Sequence, residues 1–260
     1  MILSAVEFPP IENLVEWPAL FGDGIIAFNK IALAALIAMV APALLFFVAG
    51  RRASLVPRGM QTVAEGTVTF MENQIARPGI GHGYEPYLPL LLSFFTFIFV
   101  GNLFEVIPFF QMPLNGRMGP PLVVALVAFF MWIGVAARHH GLGWFKAVIW
   151  PSYVPLAIRP LVGVIELFSV FIIRPFSHAL RLFANMLAGH ILLVTFGVLC
   201  ISVWSSSTFL GGVPLWVLEV FTFPGLVMFT AFEVGVSFIQ AFVFALLAAV
   251  YIGGALHPDH

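Results

Sequence analysis

The sequence predicts an all-α integral membrane protein with five membrane-crossing helices and one amphipathic helix at the membrane interface. Hydrophobic residues make up 61% of the 260 positions and charged residues only 9%, proportions far outside those of a soluble domain. Uncharged apolar stretches of about 20 residues recur along the chain, which is the length a helix needs to cross a bilayer. The net charge of −1 gives no indication of a nucleic-acid partner, and the single cysteine, Cys200, excludes internal disulfides.

Three ordinary spans are predicted in the first half of the chain. Their apolar residues are spread around each helix, as expected where lipid and neighbouring helices surround it. A polar, mildly acidic segment, 1–29, comes before them and lacks the basic start and apolar core of a signal peptide. The three spans are 31–50, 86–104 and 118–137.

An interfacial helix is predicted within 58–78, from the pattern of residues 60–76. Its two sides differ in polarity, which is typical of a helix lying in the plane of the interface. A surface helix of a soluble insert is the alternative, but the flanking segments leave no room for such a domain. We expect one apolar side made of Met60, Val63, Val68, Phe70, Met71 and Ile75, with Gln61, Glu65, Thr69, Glu72 and Asn73 opposite.

The C-terminal part, 160–256, predicts a hairpin of two long helices. No clear break occurs from Pro160 to Trp204, and a continuous helix of that length would reach about twice the bilayer thickness. The stretch WSSSTFLGGVP then predicts a turn, and the chain is again apolar from about 215 to 256. We therefore expect two long, tilted, antiparallel helices within a single membrane domain that covers residues 1–260.

The distribution of Lys and Arg predicts the orientation in the membrane. Cytoplasmic connections carry an excess of these residues. One side of the predicted topology carries Arg51, Arg52, Arg58, Arg77, Arg138 and Lys146, and the other only Lys30 and Arg117. We therefore expect the N-terminus outside and the C-terminus in the cytoplasm.

Ionisable residues inside the two long helices are the candidate functional groups. Charged side chains at membrane depth are costly and by default indicate an ion pathway or a bound charge. Near a helix end, a long side chain can instead reach the interface, and this alternative applies to Arg174 and His178. Arg181 is too far from either turn for that explanation. The complete set is Glu166, Arg174, His178, Arg181, His190 and Glu233.

Helical spacing separates a fixed charge from groups that can titrate. Arg174, Arg181 and Asn185 are seven and four residues apart and share one face. Glu233, Gln240 and Tyr251 share a face of the last helix, so the two stripes can look toward each other. His190 lies about half a turn away from Arg181 and should face a different neighbour.

Only some of these groups can carry a proton. An arginine side chain does not deprotonate in proteins, so Arg181 can attract a carboxylate or repel a cation but cannot act as a carrier. Glu166, His190 and Glu233 can titrate, and they lie on both sides of Arg181 along the chain. This arrangement predicts two half-channels separated by an electrostatic barrier.

These residues resemble subunit a of F-type ATP synthases. The match rests on RPFSHALRLFANMLAGHILL, on FEVGVSFIQAFVFALLAAVYI and more weakly on GNLFEVIPFF. The resemblance implies that Arg181 faces a ring of c subunits, with Asn185 beside it and Gln240 opposite on the last helix. It also implies that His190 and Glu233 form the titratable pair of the half-channel open to the outside.

The resemblance further implies that Glu166 serves the cytoplasmic half-channel. Three departures from the family pattern stand out. His190 and Glu233 are exchanged relative to many bacterial members, the stretch from Glu166 to Arg174 is one residue longer, and RLFAN replaces the commoner RLFGN. The exchanged pair still supplies one carboxyl and one imidazole, so we expect the relay chemistry to be preserved.

The partners implied by the resemblance are the c-subunit ring, the b subunits of the peripheral stalk, the rest of the ATP synthase complex and membrane lipid. The location implied is an energy-transducing membrane such as the bacterial plasma membrane. The sequence has no phosphate loop, so we expect no nucleotide site and no catalysis by the chain alone. We also expect no cofactor and no metal.

Two other functions would also fit parts of this pattern. Intramembrane charges alone would also suit a self-contained proton-coupled transporter or channel, but five spans without an internal repeat count against it. His139, His140, His178 and His190 would suit a haem-binding anchor. Haem ligation usually needs histidines on facing helices at matched depth, and the sequence indicates no such pair.

Overall fold

The computed structural model describes residues 28–51, 54–107, 110–141, 143, 149–150, 155–205, 209–210, 213–214, 217 and 219–256. Most of the predicted N-terminal segment and the last four residues therefore lie outside the described residues. The principal helices are α1 (Lys30–Arg51), α2 (Met60–Met71), α3 (Arg77–Ile80), α4 (Leu88–Leu103), α5 (Gly119–His140), α6 (Arg159–Phe168), α7 (Arg174–Ser205) and α8 (Glu219–Leu256).

The all-α fold class is confirmed. Among the described residues, the β-strands form one antiparallel pair, Phe209–Leu210 with Val213–Pro214, in the predicted turn between the two long helices. In the part of the chain that the structure describes, four helical stretches are long and apolar enough to cross a membrane. They are Lys30–Arg51, Gly119–His140, Arg159–Val203 and Glu219–Leu256.

The remaining predicted span, 86–104, forms the shorter helix α4. Its 16 residues extend about 24 Å, less than a hydrocarbon core of roughly 30 Å. After α4 the chain continues through turns and a short 3₁₀ helix, Leu114–Gly116, rather than as a longer helix. Irregular backbone at membrane depth is tolerated where protein surrounds it, and the side chains of Phe104, Glu105 and Leu114 are all buried.

A buried pair of amides fixes this irregular segment. Asn115 Nδ2 donates a hydrogen bond of 2.6 Å to Asn102 Oδ1, and both side chains are fully buried. Gly101 makes room for the same connection, because a Cβ there would lie 2.8 Å from Leu114 Cδ2. The amide pair thus holds the end of α4 against the 3₁₀ helix, on either side of Glu105.

A helix is present at the position predicted for the interfacial helix, and it extends further than residue 76. Helix α2 continues through a π-helical segment, Glu72–Ala76, into α3. Met71 and Ile75 are buried as predicted, and Phe70 packs against Phe95, Phe238 and Phe242.

In the N-terminal part of that helix, burial does not follow polarity. Met60 and Val63 are exposed, whereas Gln61 is buried. The reason is that the Gln61 side-chain amide forms hydrogen bonds with the backbone of the preceding loop. It donates to the Ser54 carbonyl at 2.8 Å, accepts from the Ser54 amide at 3.1 Å and donates to Glu65 at 2.6 Å.

An exposed polar cluster ties the π-helical segment to the start of α4. Glu72 Oε1 accepts from the Tyr84 hydroxyl at 2.5 Å and from Arg77 Nη2 at 2.6 Å. These two bonds, that from Tyr84 first, hold the pKa of the Glu72 carboxyl below its ordinary value. The cluster therefore keeps its charged form at neutral pH, and it braces the turn through Gly81 and Gly83, both at positive φ.

The predicted long hairpin is confirmed. Helix α6, a π-helical segment at Ser169–Ile173, and α7 run on continuously, and the 45 residues of Arg159–Val203 extend about 68 Å. Helix α8 has 38 residues, about 57 Å. Because both far exceed a core of roughly 30 Å, they fit a bilayer only when strongly tilted or bent.

A π-helical segment, Ser169–Ile173, lies between Glu166 and Arg174. A π turn holds one residue more than an α turn at the same place in a helix. The helix continues from it without a break into the segment that carries Arg181.

The core forms where α8 meets the other helices. Small residues allow the closest approach, because a short side chain lets two backbones come together. A Cβ on Gly79 would lie 2.6 Å from the Ala249 Cβ, and a Cβ on Gly253 would collide with the Gly79 carbonyl oxygen. Helix α3 and the end of α8 are thus in backbone contact.

Replacing Gly253 by Ala is expected to lower the thermal stability of the assembled protein, because the added methyl meets backbone that has no alternative rotamer. Overpacking of this kind costs about 1–3 kcal/mol. The measurement is the melting temperature of the detergent-solubilised assembly. Gly254→Ala is the matched control, since Gly254 is exposed and has no neighbouring atom within 4 Å of a built Cβ. Equal melting temperatures for the two variants would contradict the close packing.

Candidate functional site

The two long helices pack as an antiparallel pair, and this brings the predicted polar stripes together. Along α7, His178 contacts Phe244 and Tyr251, Asn185 contacts Gln240, and Phe196 contacts Phe229. As the residue numbers increase along α7, those of the contacting residues on α8 decrease. The two helices therefore keep one antiparallel register over four turns or more. The stripe Glu233, Gln240 and Tyr251 does face α7, as predicted.

Arg181 lies on the open face of α7. Its side chain is exposed, while Ala179 and Leu182 beside it are fully buried against the rest of the chain. Within the part of the chain that the structure describes, the guanidinium makes no hydrogen bond or ion pair. The surrounding open positions are small, with Ala184 and Ala188 exposed one and two turns further along the same face.

Asn185 and Gln240 connect Arg181's face of α7 with α8. Asn185 Nδ2 donates to Gln240 Oε1 at 3.3 Å. Gln240 is buried, whereas Asn185 is exposed on the same side as Arg181. The predicted neighbour of Arg181 and the predicted residue opposite it are therefore in direct contact.

His190 and Glu233 meet around a third residue that was not predicted as a site residue. His190 Nδ1 lies 3.5 Å from Glu105 Oε1, and the Glu105 carboxyl also interacts with that of Glu233. All three side chains are buried. Glu105 thus lies between the two predicted residues, which do not form a simple pair.

Two further features of α7 and α8 shape this cluster. Gly189 leaves room for the Glu233 carboxyl, because a Cβ on Gly189 would collide with it. Ser237, one turn beyond Glu233, is fully buried. Four buried oxygens here have no hydrogen bond of standard geometry among the described residues, namely both of Glu105, Oε1 of Glu233 and the Ser237 hydroxyl.

Glu105 carried a signal that could have been read from the sequence. It is the acidic residue directly after the predicted span 86–104, in the stretch GNLFEVIPFF, and local sequence indicates only that the span ends there. Its proximity to His190, 85 positions away, depends on the buried turn after α4 and has no counterpart in local spacing.

Glu166 lies apart from the other predicted site residues. It is a partly exposed residue of α6, 15 positions before Arg181 and so about 22 Å away along a helix. The structure therefore does not bring its carboxyl beside the Arg181 guanidinium.

Arg174 contacts aromatic rings at the start of α7. Its guanidinium carbon lies 5.3 Å from the ring centre of Tyr251 and 5.9 Å from that of Trp132. A cation over an aromatic face is favourable and more so when partly desolvated. Arg174 is thus held between α5 and α8, whereas Arg181 on the same helix is open.

Comparisons with known proteins agree with this arrangement. The family model described as ATP synthase A chain matches residues 31–253. The "ATP synthase subunit a" of Frankia alni is 37% identical over 258 residues, covering 96% of this chain and 87% of that protein. The proteins of the same name from Pseudarthrobacter chlorophenolicus and Rhodopseudomonas palustris are each 38% identical, covering 96% and 84% of this chain and 94% and 84% of their own lengths. With its fold, its polar stripes and this extent of similarity, the chain belongs to the ATP synthase A chain family.

Proposed function

We propose that this chain is the proton-translocating stator subunit of an F-type ATP synthase, which forms two half-channels against a rotating c-ring and couples proton flow to ATP synthesis. The observation that carries the proposal is the position of Arg181. It is a permanent cation on an open, small-residue face, with polar groups toward both ends of the same helix pair.

The position of Arg181 supports a site completed by another polypeptide. A cation at membrane depth needs a carboxylate, and the described residues supply none to Arg181. The exposed alanines at 184 and 188 and the exposed Gly235 on α8 allow another helix to approach closely. A c-subunit helix that carries a carboxyl group fits both requirements.

The cluster of Glu105, His190 and Glu233 would form the outer half-channel. In the proposed orientation, with the N-terminus outside and the C-terminus in the cytoplasm, His190 lies about 14 Å beyond Arg181 toward the outside. Buried polar atoms without partners are normally satisfied by water. The four such oxygens of this cluster therefore support a hydrated path through which a proton reaches His190 and Glu233.

Glu166 would serve the cytoplasmic half-channel. The axial distance from Glu166 to His190 is 24 residues, about 36 Å on a continuous helix, which is comparable to the thickness of a bilayer. Arg181 lies between the two, so neither path crosses the membrane by itself.

The mechanism follows from the cost of burying charge. A proton from the outer half-channel neutralises a c-subunit carboxylate, and the neutral acid can move into lipid at a tolerable cost. After nearly a full turn of the ring, the acid loses its proton toward the cytoplasm. Arg181 then holds the carboxylate and repels a proton that would pass directly from one half-channel to the other.

Energetics require a ring with several carriers. One elementary charge that falls through 100 mV releases about 2.3 kcal/mol, so several protons must cross for each ATP. In the complex we expect the b subunits of the peripheral stalk to hold this chain against rotation. The complex would operate in an energy-transducing membrane such as the bacterial plasma membrane.

Reconstitution of the complex with and without this chain tests the proposal. Proteoliposomes that contain the full complex should make ATP after an acid–base jump, and should conduct protons passively once the soluble sector is removed. Complexes without this chain should do neither. ATP hydrolysis by the soluble sector is the control, because it needs no chain in the membrane. Proton conduction that persists without this chain would contradict the proposal.

A further inference from the structure

His178 is a buried histidine that the proposed mechanism does not use. Only 6% of its surface is exposed, and it lies on α7 three residues before Arg181. Its ring packs edge-on against Phe244, with centroids 4.6 Å apart, and against Tyr251 at 5.5 Å. The ring is therefore held in one orientation between α7 and α8.

One nitrogen of this ring has no partner in the part of the chain that the structure describes. Nε2 is buried without a hydrogen bond there. A neutral imidazole has one donor and one acceptor nitrogen. With the proton on Nδ1, Nε2 is an unused acceptor.

A small cavity adjoins His178 between α5, α7 and α8. It has room for about one water molecule. A water there needs two to four polar partners, and the lining residues that carry polar side-chain atoms are Trp132, Arg174, His178 and Tyr251. The residues that line it are Ala125, Ala128, Phe129, Trp132, Arg174, Pro175, His178, Ala248 and Tyr251.

The location of the cavity meets a need of the cytoplasmic half-channel. Glu166 lies about 22 Å along the helix from Arg181, too far to take a proton directly from a carboxyl beside it. His178 is only about 4.5 Å along the axis from Arg181, on the side toward Glu166. A proton that moves along α7 from Arg181 toward Glu166 therefore passes this cavity.

We propose that His178 binds an ordered water molecule in this cavity, and that this water is the step of the cytoplasmic proton path closest to Arg181. The inference rests on the proposed function and adds a positioning residue to it. Arg174 on α7 and Tyr251 on α8 line the cavity, the charge of Arg181 acts on His178 from one turn further along α7, and none of the described lining residues carries a carboxyl. Repulsion by the positive charges of the two arginines keeps a proton from remaining on the water and favours its transfer onward.

Substitution of His178 tests the role of its acceptor in the assembled complex. His178→Phe removes the acceptor at similar ring size and should slow passive proton conduction and ATP synthesis by about tenfold, as expected for a lost hydrogen bond to a mobile proton carrier. His178→Gln retains an acceptor and should recover rates to within about threefold of the unmodified complex. The control is His139→Phe, at an exposed position near the end of α5, which should change neither rate.

Cysteine accessibility tests the water itself. In a Cys200→Ser background, Ala248→Cys places a thiol in the cavity wall, and Ag⁺ added from the cytoplasmic side should inhibit proton conduction. Ala245→Cys is the control, because Ala245 is buried but does not line the cavity. Ag⁺ sensitivity at position 248 and its absence at 245 would support a wet cavity.

Three results would overturn the inference. They are unchanged conduction in His178→Phe, equal loss in the Phe and Gln variants, and insensitivity of Ala248→Cys to Ag⁺. If the Phe variant does not assemble, the Gln variant and the Ag⁺ measurement still decide. An unmodified complex that conducts no protons would instead contradict the proposed function.

Discussion

Replacing Arg181 by Ala is expected to abolish proton-driven ATP synthesis while leaving membrane insertion intact. The side chain is exposed in the isolated chain and contributes no hydrogen bond or ion pair to the described part of the fold. Its removal therefore leaves the packing of α7 against α8 unchanged. What is lost is the charge that holds the c-subunit carboxylate.

The size of the effect follows from that lost partner. Leaving one member of a buried ion pair without the other costs about 3–5 kcal/mol. On a rate-limiting step this corresponds to a loss of roughly two to four orders of magnitude. The measurement is ATP synthesis after an acid–base jump in proteoliposomes, normalised to the amount of assembled complex.

Arg181→Lys is the matched variant for this prediction. Lysine keeps the charge but presents a point charge without the planar fork of arginine. We expect it to retain more of the barrier to passive leak than Ala, with slower synthesis than the unmodified complex. Coupled synthesis in the Ala variant at a rate near that of the unmodified complex would contradict the barrier role.

Exchanging His190 and Glu233 together is expected to retain more activity than either single replacement. The double variant His190→Glu, Glu233→His still supplies one carboxyl and one imidazole. Each single change leaves either two carboxyls or two imidazoles beside Glu105. Two like groups in a buried site oppose each other's charged forms, so a relay between them is impaired.

Glu105 explains why the exchange should work. It interacts with both exchanged residues, so either order leaves an imidazole beside a Glu105 carboxyl. The removal of a positioned proton-transfer group costs about 10²–10⁴ in rate. We therefore expect the single variants to lose about that much synthesis and the exchange to recover a large part of it.

A third variant separates Glu105 from the pair. Glu105→Gln keeps the shape of the side chain but removes its carboxyl, and it should impair synthesis in both the unmodified and the exchanged backgrounds. The measurement is again ATP synthesis per assembled complex. Equal loss in the two single variants and the exchange would argue against a relay.

Periodicity in the sequence was sufficient to predict the hairpin and its stripes. The spacing of Arg181, Asn185, Glu233 and Gln240 depends only on helical geometry, which the long helices keep. The direct contact between Asn185 and Gln240 confirms the predicted facing of the stripes. The helix also continues through the π-helical segment Ser169–Ile173 before it reaches Arg181.

Local patterns could not predict the role of Glu105. Its position beside His190 depends on the turn after α4, which the buried pair Asn102 and Asn115 holds in place. That turn brings together residues from distant parts of the chain. The burial of Gln61 could not be predicted from local patterns either, because its side chain forms hydrogen bonds with the neighbouring loop at Ser54.

The small cavity beside His178 was equally outside the reach of sequence patterns. From its place near a helix end, the sequence indicates only that the His178 side chain could extend to the membrane interface. Its burial results from Phe244 and Tyr251 on α8, whose rings enclose it only in the antiparallel register that the two helices adopt.

A structure of the complete membrane sector tests the central claim most directly, since that claim is that the partner of Arg181 lies on another polypeptide. The account predicts that the Arg181 guanidinium faces the c-ring, within about 4 Å of a c-subunit carboxyl or separated from it by a single water. Asn185 should line the same interface, and the cluster of Glu105, His190 and Glu233 should lie on the outer side of it. An Arg181 side chain directed into lipid, or paired with a carboxylate of its own chain, would contradict the account.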